Sequence, residues 1–185
     1  ETVLPIQSLH GVAYLLLQDL HGFGCKIYAY DKYENEAVKQ FAEYADLSVI
    51  YEKCDLITLH MPLSEDNFHI IDASAMKNMK DGVVIINTAR GSLIDTKALI
   101  EALESGKVGA AGLDVIEDEL GMYYYNRKSD ILSKRDLYVL RGFPNVIVTP
   151  HMAFYTDQAV SDMVKHSIES CILREAGKKD PWEVV

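Results

Sequence analysis

Cysteine is scarce in this chain of 185 residues: Cys25, Cys54 and Cys171 lie far apart, with no metal-type spacing among them. An odd, sparse set points to reduced thiols in a cytoplasmic protein and offers no metal site. No apolar run is long enough to span a bilayer, which argues against a membrane partner. A signal-peptide pattern is also missing, although the chain opens at Glu1 without a Met, as a cut or trimmed chain would. Repeats and low-complexity tracts are absent. Positive charge is in deficit, with 18 Lys+Arg against 28 Asp+Glu and a formal net charge of -10. Nucleic-acid partners call for a basic face, so phosphate-backbone binding is disfavoured. What remains is an ordinary soluble composition, 49% hydrophobic and 25% charged, in a chain long enough for one domain with a sizeable core.

The most informative stretch is GVVIINTARGSLID, Gly82 to Asp95. The β-branched run Val83–Ile86 reads as a strand of a parallel sheet buried on both faces. It gives way to a polar loop holding Arg90. Asp95 then caps a helical segment, TKALIEALESG, that ends in Gly106. Strand, polar loop and helix make half of a βαβ unit. Further strands are predicted at 25–30, ending at Asp31; at 54–59, ending at His60-Met61-Pro62; at 109–115, ending near Asp114; and at 145–149, ending at Pro150-His151. Residues 47–51 read as a short strand. Residues 2–6 are apolar, but Pro5 cannot donate to a ladder and makes a central strand there doubtful. Helices are predicted over 8–21, with Ser8 as N-cap and Gly22 and Gly24 closing it, and over 34–45, 73–79 and 156–176. Residues 117–143, with Tyr123, Tyr124 and Tyr125 in a row, read as irregular. Alternating strands and helices imply an α/β fold, a doubly wound parallel sheet with helices on both faces.

Ligands of such sheets sit where the strands' carboxyl ends run out, and polar residues follow several of these strands. Each has an ordinary reading. Arg90 could be a surface loop arginine and Asp31 a turn residue. Asp114 could cap a turn, Glu119 sits in the acidic run Glu117-Asp118-Glu119, which reads as a solvated face, and His151 could be a satisfied loop histidine. Their joint placement after successive strands favours a site. A histidine passes protons at neutral pH. A carboxylate on its other nitrogen fixes the tautomer and keeps it able to donate. An arginine offers a forked donor pair to a carboxylate or carbonyl. Arg90, Glu119 and His151 together suit reversible reduction of a 2-oxo acid with hydride from a cofactor. Asp31, at the end of the second strand, suits adenosine ribose hydroxyls and disfavours a 2′-phosphate, which points to NAD over NADP.

The motifs NTARGSLID, AYD ending at Asp31, HMPL at 60–63 followed by Asn67, GLDVIEDE and NVIVTPHMAFYT resemble those of the NAD-dependent D-2-hydroxyacid dehydrogenases. The resemblance runs from about Gly22 to Ala176. The tyrosine-rich segment and the HMAFYT ending are similar to the branch acting on D-lactate and on larger D-2-hydroxy acids such as 2-hydroxyisocaproate or phenyllactate. The resemblance implies a Rossmann-like cofactor domain over 1–155 and a helix and tail over 156–185 that return to a substrate domain. It implies catalytic roles for Arg90, Glu119 and His151. Tyr30, Asp31, Met61, Pro62, Asn67, Thr88, Ala89, Arg90 and Asp114 would line the NAD site, with Phe154 and Tyr155 bordering the substrate. A small 2-oxo or 2-hydroxy acid is the implied substrate, and a homodimer joined through the cofactor domain the implied assembly.

Two departures stand beside the resemblance. The family's G-x-G-x-x-G is replaced by LPIQSLHGVA, where Gln7, Leu9 or His10 would crowd the backbone's approach to a pyrophosphate. Weak or absent NAD binding is the expected result. The roughly hundred residues that form the family's substrate domain before the cofactor domain are also missing. That leaves Ala159, Met163, Ile168 and Ile172 as an apolar helix face without a partner, and such a stripe usually marks an interface. The expectations are therefore a D-2-hydroxyacid dehydrogenase cofactor domain with little activity alone, or a non-catalytic, self-associating scaffold on the same fold.

Overall fold

Among the described residues, seven short strands run parallel in one sheet: β1 (Thr2–Pro5), β2 (Ile27–Tyr30), β3 (Glu43–Tyr44), β4 (Leu56–Leu59), β5 (Val83–Asn87), β6 (Val108–Leu113) and β7 (Val146–Val148). Their order is β3-β2-β1-β4-β5-β6-β7, and each neighbouring pair is parallel. The order reverses direction between β1 and β4, which is where a doubly wound sheet opens a crevice at its carboxyl edge. This computed structural model describes residues 2–5, 12–119, 121–123 and 134–182. The chain divides into two compact units, Glu1–Pro150 and His151–Val185, and the sheet lies in the first.

Alternation along β2 shows that both sheet faces are covered. Ile27 and Ala29 join one apolar cluster with Ala13 and Leu17 of α1 (Val12–Gly22). Tyr28, between them, joins the larger cluster on the other side. Successive side chains of a strand point to opposite faces, so each cluster sits under its own face. The larger one gathers Ile50 from α2 (Leu47–Lys53), Met76 from α3 (Ala73–Asn78), Leu99 and Leu103 from α4 (Thr96–Glu104) and Leu140 from α5 (Arg135–Gly142). Within β5, Val83, Ile85 and Asn87 are buried while Val84 and Ile86 are half-buried. The run is thus sealed on one face and partly covered on the other. Asp95 accepts from the amides of Lys97 and Ala98, the cap its sequence predicts, and Asp72 caps α3 by accepting from the Ala75 amide.

Four local expectations fail for identifiable reasons. Pro5 does not keep β1 out of the sheet centre. It stands last in the strand, opposite Tyr30 of β2, while the pairing with β4 involves only Thr2 and Val3. The missing N–H therefore lies beyond the more demanding ladder. Residues 34–45 do not form a helix. Asn35 makes a turn by accepting from the Ala37 amide at 2.8 Å, a 3-10 turn covers Val38–Gln40, and Glu43–Tyr44 adds an edge strand to β2. Residues 47–51 fall in a helix, because Val49 and Ile50 pack inward from α2 against the core. Within 117–143, Arg135–Gly142 is helical and buries Leu137 and Leu140. The predicted N-cap Ser8, and Gln7, Leu9 and His10 of the segment replacing the glycine fingerprint, fall at 6–11, outside the described residues.

The second unit is built on α6 (Asp157–Glu175), whose N-cap Thr156 accepts from the Ala159 amide. None of its described side chains is buried, and Met163, Val164, Ile168 and Ile172 are exposed. Trp182 in the following tail stacks on His166 with ring centroids 4.4 Å apart.

Candidate active site at the strand ends

In the first unit the parallel strands deliver their polar ends to one edge. Asp31 follows β2, Met61 and Pro62 follow β4, Thr88, Ala89 and Arg90 follow β5, and Asp114 follows β6. Asp31 is half-buried, and its Oδ1 accepts from the Tyr33 amide at 3.0 Å. Burial pushes its carboxyl above the ordinary value, while the amides of Tyr33 and Lys32 pull it back. Asp31 is thus both a turn residue and a fixed carboxylate at the edge. Tyr30 packs against the core beside it.

The loop after β4 is folded around Asn67, which is 5% exposed. Its Oδ1 accepts from the Ser64 amide at 2.7 Å, and its Nδ2 donates to the Pro62 carbonyl at 2.8 Å and lies 3.4 Å from the Met61 sulfur. Asn67 thereby shapes the loop that presents Met61 and Pro62. His60 is largely buried, which lowers its pKa, and its Nε2 lies 2.9 Å from the Thr58 hydroxyl.

A buried asparagine that the sequence reading did not single out organises the next loop. Asn87 Nδ2 donates to the Arg90 carbonyl at 2.8 Å, and its Oδ1 accepts from the Ala89 amide at 3.0 Å. The backbone carbonyl of Asn87 accepts from the Asp114 amide. Asp114, 5% exposed, accepts from the Thr149 hydroxyl. The ends of β5, β6 and β7 are thus joined by hydrogen bonds, and the one advance signal was a polar residue closing an apolar run. Thr88 and Arg90 are exposed. The Arg90 Nη1 donates to the Ala89 carbonyl at 2.6 Å.

Glu119 Oε2 accepts from the Ile116 amide at 3.3 Å, so this carboxylate closes a tight loop after β6. His151 opens the second unit in a left-handed backbone conformation, φ 53°, with its ring edge-to-face on Phe154. Arg90 and Glu119 therefore belong to one unit and His151 to the other.

A second polar group lies in the first unit beside a cavity of about 530 Å³. His69 Nε2 donates to Glu117 Oε1 at 2.6 Å, and Glu117 Oε2 accepts from the Thr96 amide at 2.8 Å. Burial pushes the Glu117 carboxyl up, but the hydrogen bonds from His69 and Thr96 together outweigh it and hold it below its ordinary value. Glu117 belongs to the acidic run that reads as a solvated face, yet its side chain is only 23% exposed. No sequence signal marked its pairing with a residue 48 positions away. Among the described residues there is no cluster suited to a metal ion and no helix long and apolar enough to cross a membrane.

Residues 6–153 match the family model described as D-isomer specific 2-hydroxyacid dehydrogenase, NAD binding domain. The chain belongs to this family. An aromatic 2-oxoacid reductase of Clostridium sporogenes is 48% identical over 151 residues, covering 81% of this chain and 46% of that protein. A D-lactate dehydrogenase of Escherichia coli is 36% identical over 176 residues, covering 95% and 53%. The crystal structure of a D-lactate dehydrogenase with NAD+ from Lactobacillus jensenii superposes with a TM-score of 0.90 at 34% identity, covering all of this chain and 56% of that one. This D-2-hydroxyacid dehydrogenase chain thus spans about half the length of the curated relatives it matches. The groups at its strand ends suit the cofactor named for the family domain. A fixed carboxylate after the second strand matches a ribose diol, and the crevice opens at the reversal of strand order.

Proposed function

We propose that this chain is the NAD-binding half of an oxidoreductase that interconverts 2-oxo acids and D-2-hydroxy acids. The observation that carries the reading is the gathering of Asp31, Met61-Pro62, Thr88–Arg90 and Asp114 at the carboxyl edge on both sides of the β1/β4 reversal. NAD, when bound, supplies or accepts the hydride. Asp31 would take the adenosine ribose hydroxyls and select NAD over NADP. Tyr30, Met61, Pro62, Asn67, Thr88, Ala89 and Asp114 would form the remaining wall. Arg90 would hold the substrate carboxylate with its forked donors. His151 would give the carbonyl oxygen its proton, with Glu119 as the carboxylate that fixes its tautomer. The substrates follow the relatives' names: D-lactate and pyruvate, or larger aromatic 2-oxo acids. The working form is a homodimer.

Residues 1–185 alone would turn over 2-oxo acids slowly, since the relatives are about twice as long. Calorimetry with NAD and with NADP tests the cofactor role. An isotherm for NAD weaker than that of an intact relative, and a weaker one still for NADP, is expected. No heat with either would remove the cofactor reading and leave a scaffold on the same fold. The exposed apolar residues of α6 favour that second reading to the extent that the chain self-associates, and a purely monomeric mass by light scattering would count against it.

A further inference from the structure

Three loops of the first unit interlock beside the strand-end crevice. The segment at 69–71 lies along 92–95: the His69 amide donates to the Ser92 carbonyl at 2.9 Å, that of Ile71 to Leu93 at 3.0 Å, and that of Asp95 to Ile71 at 3.0 Å. Ile71 and Ile94 also form a parallel bridge. The segment at 116–117 rests on Gly91, so closely that a Cβ there would collide with the backbone of Ile116 and Glu117. One carboxylate ties the three together. Glu117 takes His69 on one oxygen and the first amide of α4 on the other. An ionised carboxylate only accepts, so the His69 Nε2 carries the proton. The ring is held by stacking on Phe68, with centroids 3.9 Å apart. His69 and Asp118 both take left-handed backbone conformations, φ 52° and 53°. Histidine and aspartate are among the non-glycine residues that enter that region most readily, which suits them to these two turns.

The neighbouring cavity is lined with charges of both signs, Asp95, Lys97, Asp118, Lys134, Arg135 and Asp136. The amides at the start of α4 are already taken, Thr96 by Glu117 and Lys97 and Ala98 by Asp95. A structural joint accounts for that arrangement better than a ligand site does.

We propose that His69 and Glu117 are positioning residues, which hold the loop carrying Asp114 and Glu119 against the loop carrying Arg90 and so fix the cofactor-facing wall of the crevice. The inference rests on reading that crevice as the NAD site. The test measures NADH affinity by fluorescence for the chain and for Glu117→Ala, Glu117→Gln, His69→Ala and His69→Gln, well below each variant's unfolding midpoint. Amide spectra by NMR follow Gly91 and Asp114. Either alanine variant should weaken NADH binding about tenfold. Both alanines together should cost little more than one, since they break the same joint. Glutamine at either position keeps a hydrogen-bonding arm and should restore affinity to within about twofold, which loss of stability alone would not produce. The Gly91 and Asp114 resonances should move in the alanine variants and stay in place in the glutamine ones. NADH binding by Glu117→Ala equal to that of the parent would overturn the inference and leave the cofactor reading standing. If the parent itself binds no NADH, the cofactor reading fails, and unmoved Gly91 and Asp114 resonances in Glu117→Ala would then overturn the joint as well.

Discussion

Two glycine-to-alanine substitutions should have opposite effects. At Gly91 the added methyl would meet the backbone carbonyl carbon and oxygen of Ile116, and the Glu117 nitrogen at 2.6 Å. Flexible side chains can swing aside, but these are main-chain atoms fixed by the Asn87 and Glu119 hydrogen bonds on either side. Insertion of one carbon into packed surroundings costs about 1–3 kcal/mol, and rigid neighbours put Gly91→Ala in the upper part of that range. With a urea slope of about 2 kcal/mol per molar, the unfolding midpoint should fall by about 1 M. At Gly22, the last residue of α1, the added methyl meets nothing within 4 Å, and φ is not positive. Alanine there removes unfolded-chain entropy and should stabilise by about 0.4–1 kcal/mol. Urea unfolding followed by circular dichroism reads both variants against the parent. A Gly91→Ala protein within about 0.5 kcal/mol of the parent, with unchanged slope, would refute the claim that the Arg90 and Glu117 loops are in backbone contact.

Two further outcomes follow from titrating groups at the same edge. Burial raises the Asp31 pKa, so the folded chain keeps that proton to higher pH than the unfolded chain does, and the ionised group opposes folding above its folded pKa. Asp31→Asn should therefore leave neutral-pH stability equal or slightly higher while weakening NAD binding and narrowing the preference over NADP, as measured by denaturation and calorimetry. Burial lowers the His60 pKa, so the unfolded chain binds the proton first and stability falls as pH drops below about 6.5. His60→Gln should flatten that loss in urea midpoints taken from pH 7.5 to 5, and an unchanged slope would contradict the buried neutral imidazole.

Legibility in the sequence followed the kind of signal. The apolar run at 83–86, the Asp95 cap and the alternation of strands with helices are local features, and the structure carries them as strand, cap and doubly wound sheet. Composition could not reveal partners far along the chain. Leu47–Tyr51 has strand-like residues, but Val49 and Ile50 face a core already supplied with β4 as the next strand, and helix is the form that reaches it. Pro5 argued against a central strand because the rule weighs ladder donors, while the register shows that its position faces β2 alone. Glu117 read as part of a solvated acidic face because its histidine partner is distant in sequence. Asn87 carries only the local signal of a polar residue ending an apolar run, while its burial makes it the residue that shapes the Arg90 loop.

The mistaken helix at 34–45 bears directly on the site. A helix starting soon after Asp31 would fix that carboxylate by its own backbone amides. The chain instead turns back to the sheet edge: Tyr44, opposite Ala29 in the β2–β3 ladder, accepts from the Asn35 amide on its hydroxyl at 2.9 Å. That bond pins the loop from 31 to 37 to the edge strand, while Asp31 itself is tied by Oδ1 to the Tyr33 amide. Lys39 meets Glu34 and Glu36 on the exposed side of this loop, where ion pairs add little. The loop owes its form to the Tyr44 hydroxyl and the Asn35 turn. Asp31 is therefore held by a turn anchored to an added edge strand rather than by the amides of a following helix.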